Sequence, residues 1–201
     1  MLCSATLQGE NTFTQTMAIL AWPRRKIMLI ATVVVITVAV VLLAAIRSAK
    51  KSINFETYIY WSGDIGREFA QALAERARQG VKVHVLLDWV GSAKVDDSVI
   101  TELKAAGVEV RKFHPPHWSN LGRLNNRTHR KLLVVDGHMA FTGGVGIAPQ
   151  WTGHAQDPEH WRDTHVQVQV PVVAQMQAVF LDNWVKVTGD VLHGQIGRAH
   201  V

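Results

Sequence analysis

Residues 129 to 136 read His-Arg-Lys-Leu-Leu-Val-Val-Asp. His129 and Lys131 are the residue types that chemistry on a phosphodiester needs. Two residues apart on an extended segment, their side chains leave the backbone toward the same face. Attack on phosphorus builds negative charge on the non-bridging oxygens, so an imidazole beside a fixed ammonium is a minimal apparatus for it. An imidazole titrates near ~6.5, which suits a nucleophile or a proton donor near neutrality, and a lysine supplies a point charge. His-x-Lys-x4-Asp arises by chance in roughly two of a hundred chains of this composition, so its surroundings must carry the inference.

Those surroundings are ordered. Residues 132 to 135 form a buried-type apolar run, Asp136-Gly137 is a hairpin-turn pair, and residues 139 to 142 read as the return strand. Gly143-Gly144 follow, where backbone can approach a ligand closely. Upstream, residues 52 to 60 alternate as a strand. Asp64 then opens a helix in which Ile65, Phe69, Leu73 and Ala77 recur at helical spacing, and Gly80 stops it. Residues 81 to 87 make a buried strand, Asp96 or Asp97 caps a helix through Ala106 that Gly107 ends, and residues 108 to 113 make the next strand. After a loop rich in His, Pro and Asn comes the hairpin, then a strand over 164 to 170 and a helix from Pro171 to about Val187. The βαβαβ opening predicts an α/β fold, a mixed β-sheet flanked by helices.

Of the 201 residues 48% are hydrophobic, and part of that share sits in one segment, Ile27 to Ile46, which carries no charge. Twenty residues at ~1.5 Å each span about 30 Å, the thickness of a bilayer's hydrocarbon core, so a transmembrane helix is expected there. Trp22, Pro23 and Arg24-Arg25-Lys26 make an interfacial start to it. No small-residue cleavage site follows, which favours a retained anchor over a secretory signal. Arg47, Lys50 and Lys51 balance the basic residues on the other side, so orientation stays open. The expected organisation is an N-terminal tail over 1–26, a transmembrane helix over 27–46, a catalytic-type domain over 47–194 and a non-native tail over 195–201, which resembles translated sequencing adapter. Leu42 to Ala49 is asked both to face lipid and to pack on the sheet. The lone Cys3 excludes an intramolecular disulfide. A net charge of +5 suits anionic headgroups, and no Lys/Arg-rich run with interleaved aromatics speaks for nucleic acid.

His129, Lys131 and Asp136, followed by Gly143-Gly144, resemble the signature of the phospholipase D superfamily. Residues 54 to 60 (Asn-Phe-Glu-Thr-Tyr-Ile-Tyr), 128 to 131, 141 to 144 and His160-Trp161-Arg162-Asp163-Thr164 are closer still to its bacterial cardiolipin synthase-like branch, over about residues 42 to 194. The resemblance implies a phospholipase D-like domain and a membrane-anchored enzyme of the bacterial cell membrane, single-pass. Its reaction would be phosphatidyl transfer or phosphodiester hydrolysis through a phosphohistidine, on phosphatidylglycerol or a similar phospholipid. One motif histidine attacks phosphorus and the histidine of a second copy protonates the leaving alcohol; His129 takes one of these roles. No other His here is followed two residues later by Lys. The second motif is therefore expected from the missing half of a longer chain or from a homodimer partner.

By the same resemblance an acidic residue orients the imidazole: Asp163 is the best positional match, with Asp157 and Glu159 behind it. Asp136 completes the signature but begins a turn, so it is expected to hold the hairpin and Lys131. Gly143 and Gly144 are expected at the substrate; Glu56 either faces them from the first strand or is a strand carboxylate paired with a nearby Arg or Lys. At Gly146 many members carry an Asn that donates to phosphate; backbone amides of residues 143 to 146 would replace it. No metal or cofactor is expected, because His114, His117, His154 and His160 match no usual ligand spacing. His160 and His165 are expected to pack, and Trp118, Trp151 and Trp161 to anchor loops or line a lipid-facing rim. The alternatives are a single-motif phosphodiesterase or nuclease active as a homodimer, and a non-catalytic membrane-tethered phosphate-binding module.

Overall fold

The computed structural model describes residues 38–113, 127–153 and 155–192. Six strands form one sheet: β1 (Ser52–Thr57), β2 (Lys82–Asp88), β3 (Glu109–Phe113), β4 (Lys131–Val135), β5 (Met139–Gly143) and β6 (His165–Gln169). Their order is β3-β2-β1-β4-β5-β6. The first three run parallel and the last three join antiparallel. Parallel strands need crossovers, and the helices α2 (Asp64–Arg78) and α3 (Asp97–Ala105) supply them. Phe69, Ala70, Leu73 and Ala74 make the buried stripe of α2, as its periodicity predicts.

Helix α1 (residues 38–48) joins α2 and α3 over one face of the sheet, where Ile53, Phe55, Val85, Leu133 and Phe141 meet them. Helix α4 (Val173–Thr188) covers the other face, packing Phe180 and Trp184 on Leu86, Leu132, Val134 and Ala140. The domain thus has three layers, with buried runs in β1, β2 and β4 because both their faces are covered.

Most expected elements appear within a residue or two. The first strand is shorter, ending at Thr57 rather than 60. There the Thr57 hydroxyl donates to the Ile59 carbonyl, 3.0 Å, which turns the chain out of the sheet. Lys131 is registered with Thr57, so His129 would have needed Ile59 as its partner. His129 therefore lies in extended chain before β4 rather than on the strand.

Among the described residues no helix is long and apolar enough to cross a membrane. Most of the apolar run over 27–46 lies outside the described residues. Its last part belongs to α1, where Leu42, Leu43, Ala45 and Ile46 are buried in the domain core. The tail over 195–201 also lies outside.

Candidate active site

The parallel strands β1, β2 and β3 end at one edge of the domain, where β4 and β6 begin and β5 finishes. Thr57 is registered with Lys131, and Gly143 with His165, placing these four residues along one end of the sheet. Carboxyl ends of parallel strands are where ligands bind in α/β sheets.

Tyr58 organises this edge. Its ring centroid lies 4.5 Å from that of His129, and the Lys131 ammonium nitrogen lies 5.6 Å from the same ring. Imidazole and ammonium thus share one aromatic neighbour although only Lys131 is on a strand. The Tyr58 carbonyl accepts from the Ser92 hydroxyl at 3.2 Å. A Cβ on Gly91 would stand 2.1 Å from that carbonyl, so only glycine lets the loop after β2 close on it. No residue spacing pointed to Tyr58, although it stands within the run that carried the family likeness.

Behind His129, Thr128 is clamped. Its amide donates to Asp88 Oδ2 at 3.0 Å, while Asp88 Oδ1 accepts from the amides of Val90 and Gly91 at 3.0 and 2.9 Å. The Thr128 hydroxyl donates to Glu56 Oε1, which also accepts from Asn183 Nδ2 at 2.7 Å. Glu56 was expected to face the substrate. Instead it is fully buried, in the sheet row of Leu132, whose side chain packs against α4. Lys131, one residue on, points to the opposite face, as strand alternation requires. Glu56 and Asn183 together fix the residue preceding His129. Burial pushes the Glu56 carboxyl up, against the hydrogen bonds from Thr128 and Asn183.

Asp136 stands at the other end of β4, about 16 Å from Lys131 along five strand residues. Its carboxylate accepts from the amides of Lys50, Lys51 and Ser52 at 2.9, 2.7 and 2.9 Å. Burial acts to raise its pKa, but these amides outweigh burial and hold it below the ordinary range. Asp136 and Gly137 have φ of +53° and +72°, the paired left-handed geometry of a tight hairpin turn. It therefore holds the hairpin, as its turn position predicts, and ties it to the α1–β1 junction. It is too distant to hold Lys131.

The paired glycines admit their neighbours. A Cβ on Gly143 would lie 2.2 Å from the Thr164 carbonyl oxygen, and one on Gly144 would lie 1.8 Å from Asp163 Oδ2. The Gly144 amide is already donated to Thr164 O at 3.0 Å, so it is not free for phosphate. At Gly146 a Cβ would meet the Trp151 ring at 2.9 Å, so a larger residue there would require Trp151 to move.

Asp163 is exposed, accepts from the Thr164 amide at 2.7 Å, and has its carboxylate over Gly144. Its charge acts on Lys131 and His165. Burial lowers the Lys131 pKa and Asp163 opposes this; burial likewise lowers that of His165, which Asp163 raises and Lys131 lowers. Among the described residues no hydrogen bond joins Asp163 to His129. His165, expected only to pack, thus belongs to the electrostatic neighbourhood of the motif. Asp157 bonds His160 at 2.7 Å, and the Glu159 amide donates to Asp157 at 2.9 Å, so both alternative carboxylates sit in a local turn of their own. His114, His117, Trp118 and His154 lie outside the described residues.

The mixed six-stranded sheet between two helical layers, with His129 and Lys131 against Tyr58 at its strand ends, has the phospholipase D fold. Nuc from Salmonella typhimurium, a phospholipase D family member, superposes with a TM-score of 0.57 at 18% identity, over 74% of this chain and 87% of that one. Phosphatidylserine synthase from Haemophilus influenzae gives 0.52 at 15% identity, over 74% and 33%. These two show the fold. The family model described as "Cardiolipin synthase, PLD-like domain" matches residues 42–184, and the chain belongs to that family. It is 40% identical over 152 residues to a cardiolipin synthase of Geobacillus kaustophilus, covering 74% of this chain and 30% of the relative. It is 39% identical over 141 residues to cardiolipin synthase A of Pseudomonas fluorescens, covering 70% and 29%. The chain thus spans under a third of the length of these relatives.

Proposed function

We propose that this chain supplies one of two motif halves to a membrane-anchored phosphatidyltransferase of cardiolipin synthase type. The observation that carries this is the common seat of His129 and Lys131 on Tyr58, beside the Asp163 carboxylate. An imidazole nitrogen attacks the phosphorus of phosphatidylglycerol or a similar lipid, forming a P–N bond as the P–O bond to the departing alcohol breaks. That alkoxide takes a proton from the second motif's imidazole. An acceptor hydroxyl then returns its proton to that imidazole and displaces the first, and water in its place gives hydrolysis. Lys131 neutralises the non-bridging oxygens, where charge peaks as phosphorus becomes five-coordinate. Gly143 and Gly144 bring Asp163 up to this edge, and Glu56 holds Thr128 from behind. No step needs a cofactor.

The second half comes from a longer chain or from a second copy, since His-x-Lys-x4-Asp occurs once in these 201 residues. In a two-motif form, rapid acid-free quenching with a phosphatidyl-labelled lipid should trap label on histidine, and His129→Ala should abolish turnover. Near wild-type turnover in His129→Ala would end this reading; label on the other motif's histidine would make His129 the proton donor. Because Leu42, Leu43, Ala45 and Ile46 pack in the domain core, residues 27 to 41 of the uncharged run remain for an anchor; the chain should stay in the membrane pellet through alkaline carbonate extraction, and release would sink the anchor.

A further inference from the structure

An apolar cavity opens beside Asp163. Its walls come from Val38 and Leu42 of α1, Phe69 of α2, the turn at Ile147, and the Trp151–Trp161 pair; Arg162 and Asp163 stand at one side. The two indoles pack edge to face with centroids 4.9 Å apart, and Trp161 remains 44% exposed. A second hollow under α1 shares Val38 and Leu42 and reaches His165. The site edge is thus flanked by an apolar trough beneath the first turn of α1.

We propose that this trough receives an acyl chain of the phosphatidyl substrate, next to the carbonyl end of that chain. The inference rests on the phosphatidyl-transfer reading and adds a lipid subsite to it. Three observations favour a chain over other occupants. The cavity adjoins the motif's edge of the sheet through Asp163, which lines it, stands over Gly144 and acts electrostatically on Lys131. Arg162 beside it suits a group leading to an anionic phosphate. Helix α1 also runs away from the site edge toward the start of β1, so its beginning, Val38, lies at the site edge, and the sequence before it is uncharged back to Ile27. The apolar approach to the domain therefore leads to the site.

The cavity volume of about 50 Å³ holds roughly three to five water-sized groups. It accommodates the first methylenes, and the remainder follows α1 outward. A chain leaving a bilayer loses no apolar surroundings on entering, so the trough orients the ester and the phosphate rather than adding much affinity.

The test is photolabelling in vesicles of dioleoylphosphatidylcholine containing phosphatidylglycerol whose diazirine sits within the first few acyl carbons. The full chain is used as its His129→Ala variant, so that labelling does not depend on turnover. Label should concentrate on residues 145–152 and 161–163, and more than with a diazirine at the chain end. Ala39→Trp and Thr152→Trp, each filling the trough from one wall, should cut that label at least fivefold with unchanged circular dichroism. Label confined to residues before Val38, to contacts between copies, or spread over the surface in the His129→Ala chain would overturn the proposal without recourse to either Trp variant. Label unchanged in both folded Trp variants would do the same. Label in the trough combined with turnover that survives His129→Ala would keep the lipid subsite and discard the transfer mechanism.

Discussion

Replacing Asp136 by Ala separates the signature's chemistry from its architecture. The carboxylate accepts three backbone amides that belong to the junction between α1 and β1. A hydrogen bond to a charged group contributes ~1.5–3 kcal/mol, but these share one partly exposed carboxylate, so about 2 kcal/mol is a fair figure for the set. Ala at φ +53° adds about 1 kcal/mol of left-handed strain. The expected loss is about 3 kcal/mol, a fall of roughly 6–12 °C in melting temperature for a chain of this size. Asp136→Asn should lose less, about 1 kcal/mol, because Asn tolerates left-handed φ and its carbonyl can keep the amides of Lys51 and Ser52, both of which meet Oδ1. The sign with pH follows from the depressed pKa: the stabilisation is present above the unfolded carboxylate's value and is lost as pH falls through the folded one. The gap between wild type and Asp136→Ala in urea melts should therefore narrow in acid. Activity per folded molecule should survive below the melting range. Lost turnover at unchanged stability would refute this and make Asp136 part of the chemistry.

Glu56→Gln should be at least as stable as wild type at neutral pH. The raised Glu56 pKa means that stability is fully present below pH 4.5 and is lost as pH rises through the folded value; the amide removes that slope. A Gln variant that loses as much turnover as His129→Ala would show that the carboxylate itself acts on substrate. Asp163→Asn removes the charge that raises the Lys131 pKa, so the alkaline limb of the pH–rate profile should move to lower pH; an unmoved limb would disconnect the two groups. Gly144→Ala places a methyl where Asp163 Oδ2 now stands and should cost about 1–3 kcal/mol of stability together with turnover. A crystal structure of that variant with Asp163 in place would contradict the close fit.

The strands and helices were legible because each carries its own local pattern: the helical spacing of Phe69 and Leu73, the Asp136-Gly137 turn, the apolar run of β4. That Glu56 and Lys131 lie on opposite faces of the sheet was legible in principle too, since Glu56 and Thr57 are adjacent on a strand and must point opposite ways. What the sequence could not show is which face α4 covers. That depends on a contact between Glu56 and Asn183, 127 positions apart, which no local spacing encodes. Asp88 and Thr128 are likewise joined over 40 positions. The polar residues Asn54, Glu56 and His84 in otherwise apolar strands were the available signal that buried partners existed, because unpaired polar groups do not survive such burial.

These buried partners give the site a rigid rear and an open front. Thr128 is held through its amide by Asp88 and through its hydroxyl by Glu56, and its neighbour His129 is exposed against Tyr58. The imidazole thereby gains a defined starting direction, and among the described residues no carboxylate bonds its ring. The charges at the front, Lys131 and Asp163, lie on β4 and just before β6, and Asp163 reaches this edge over Gly144, where a Cβ would stand on its carboxylate. Hence the paired glycines act chiefly by absence: they let the Asp163 carboxylate stand at this edge, where its charge opposes the lowering of the Lys131 pKa by burial.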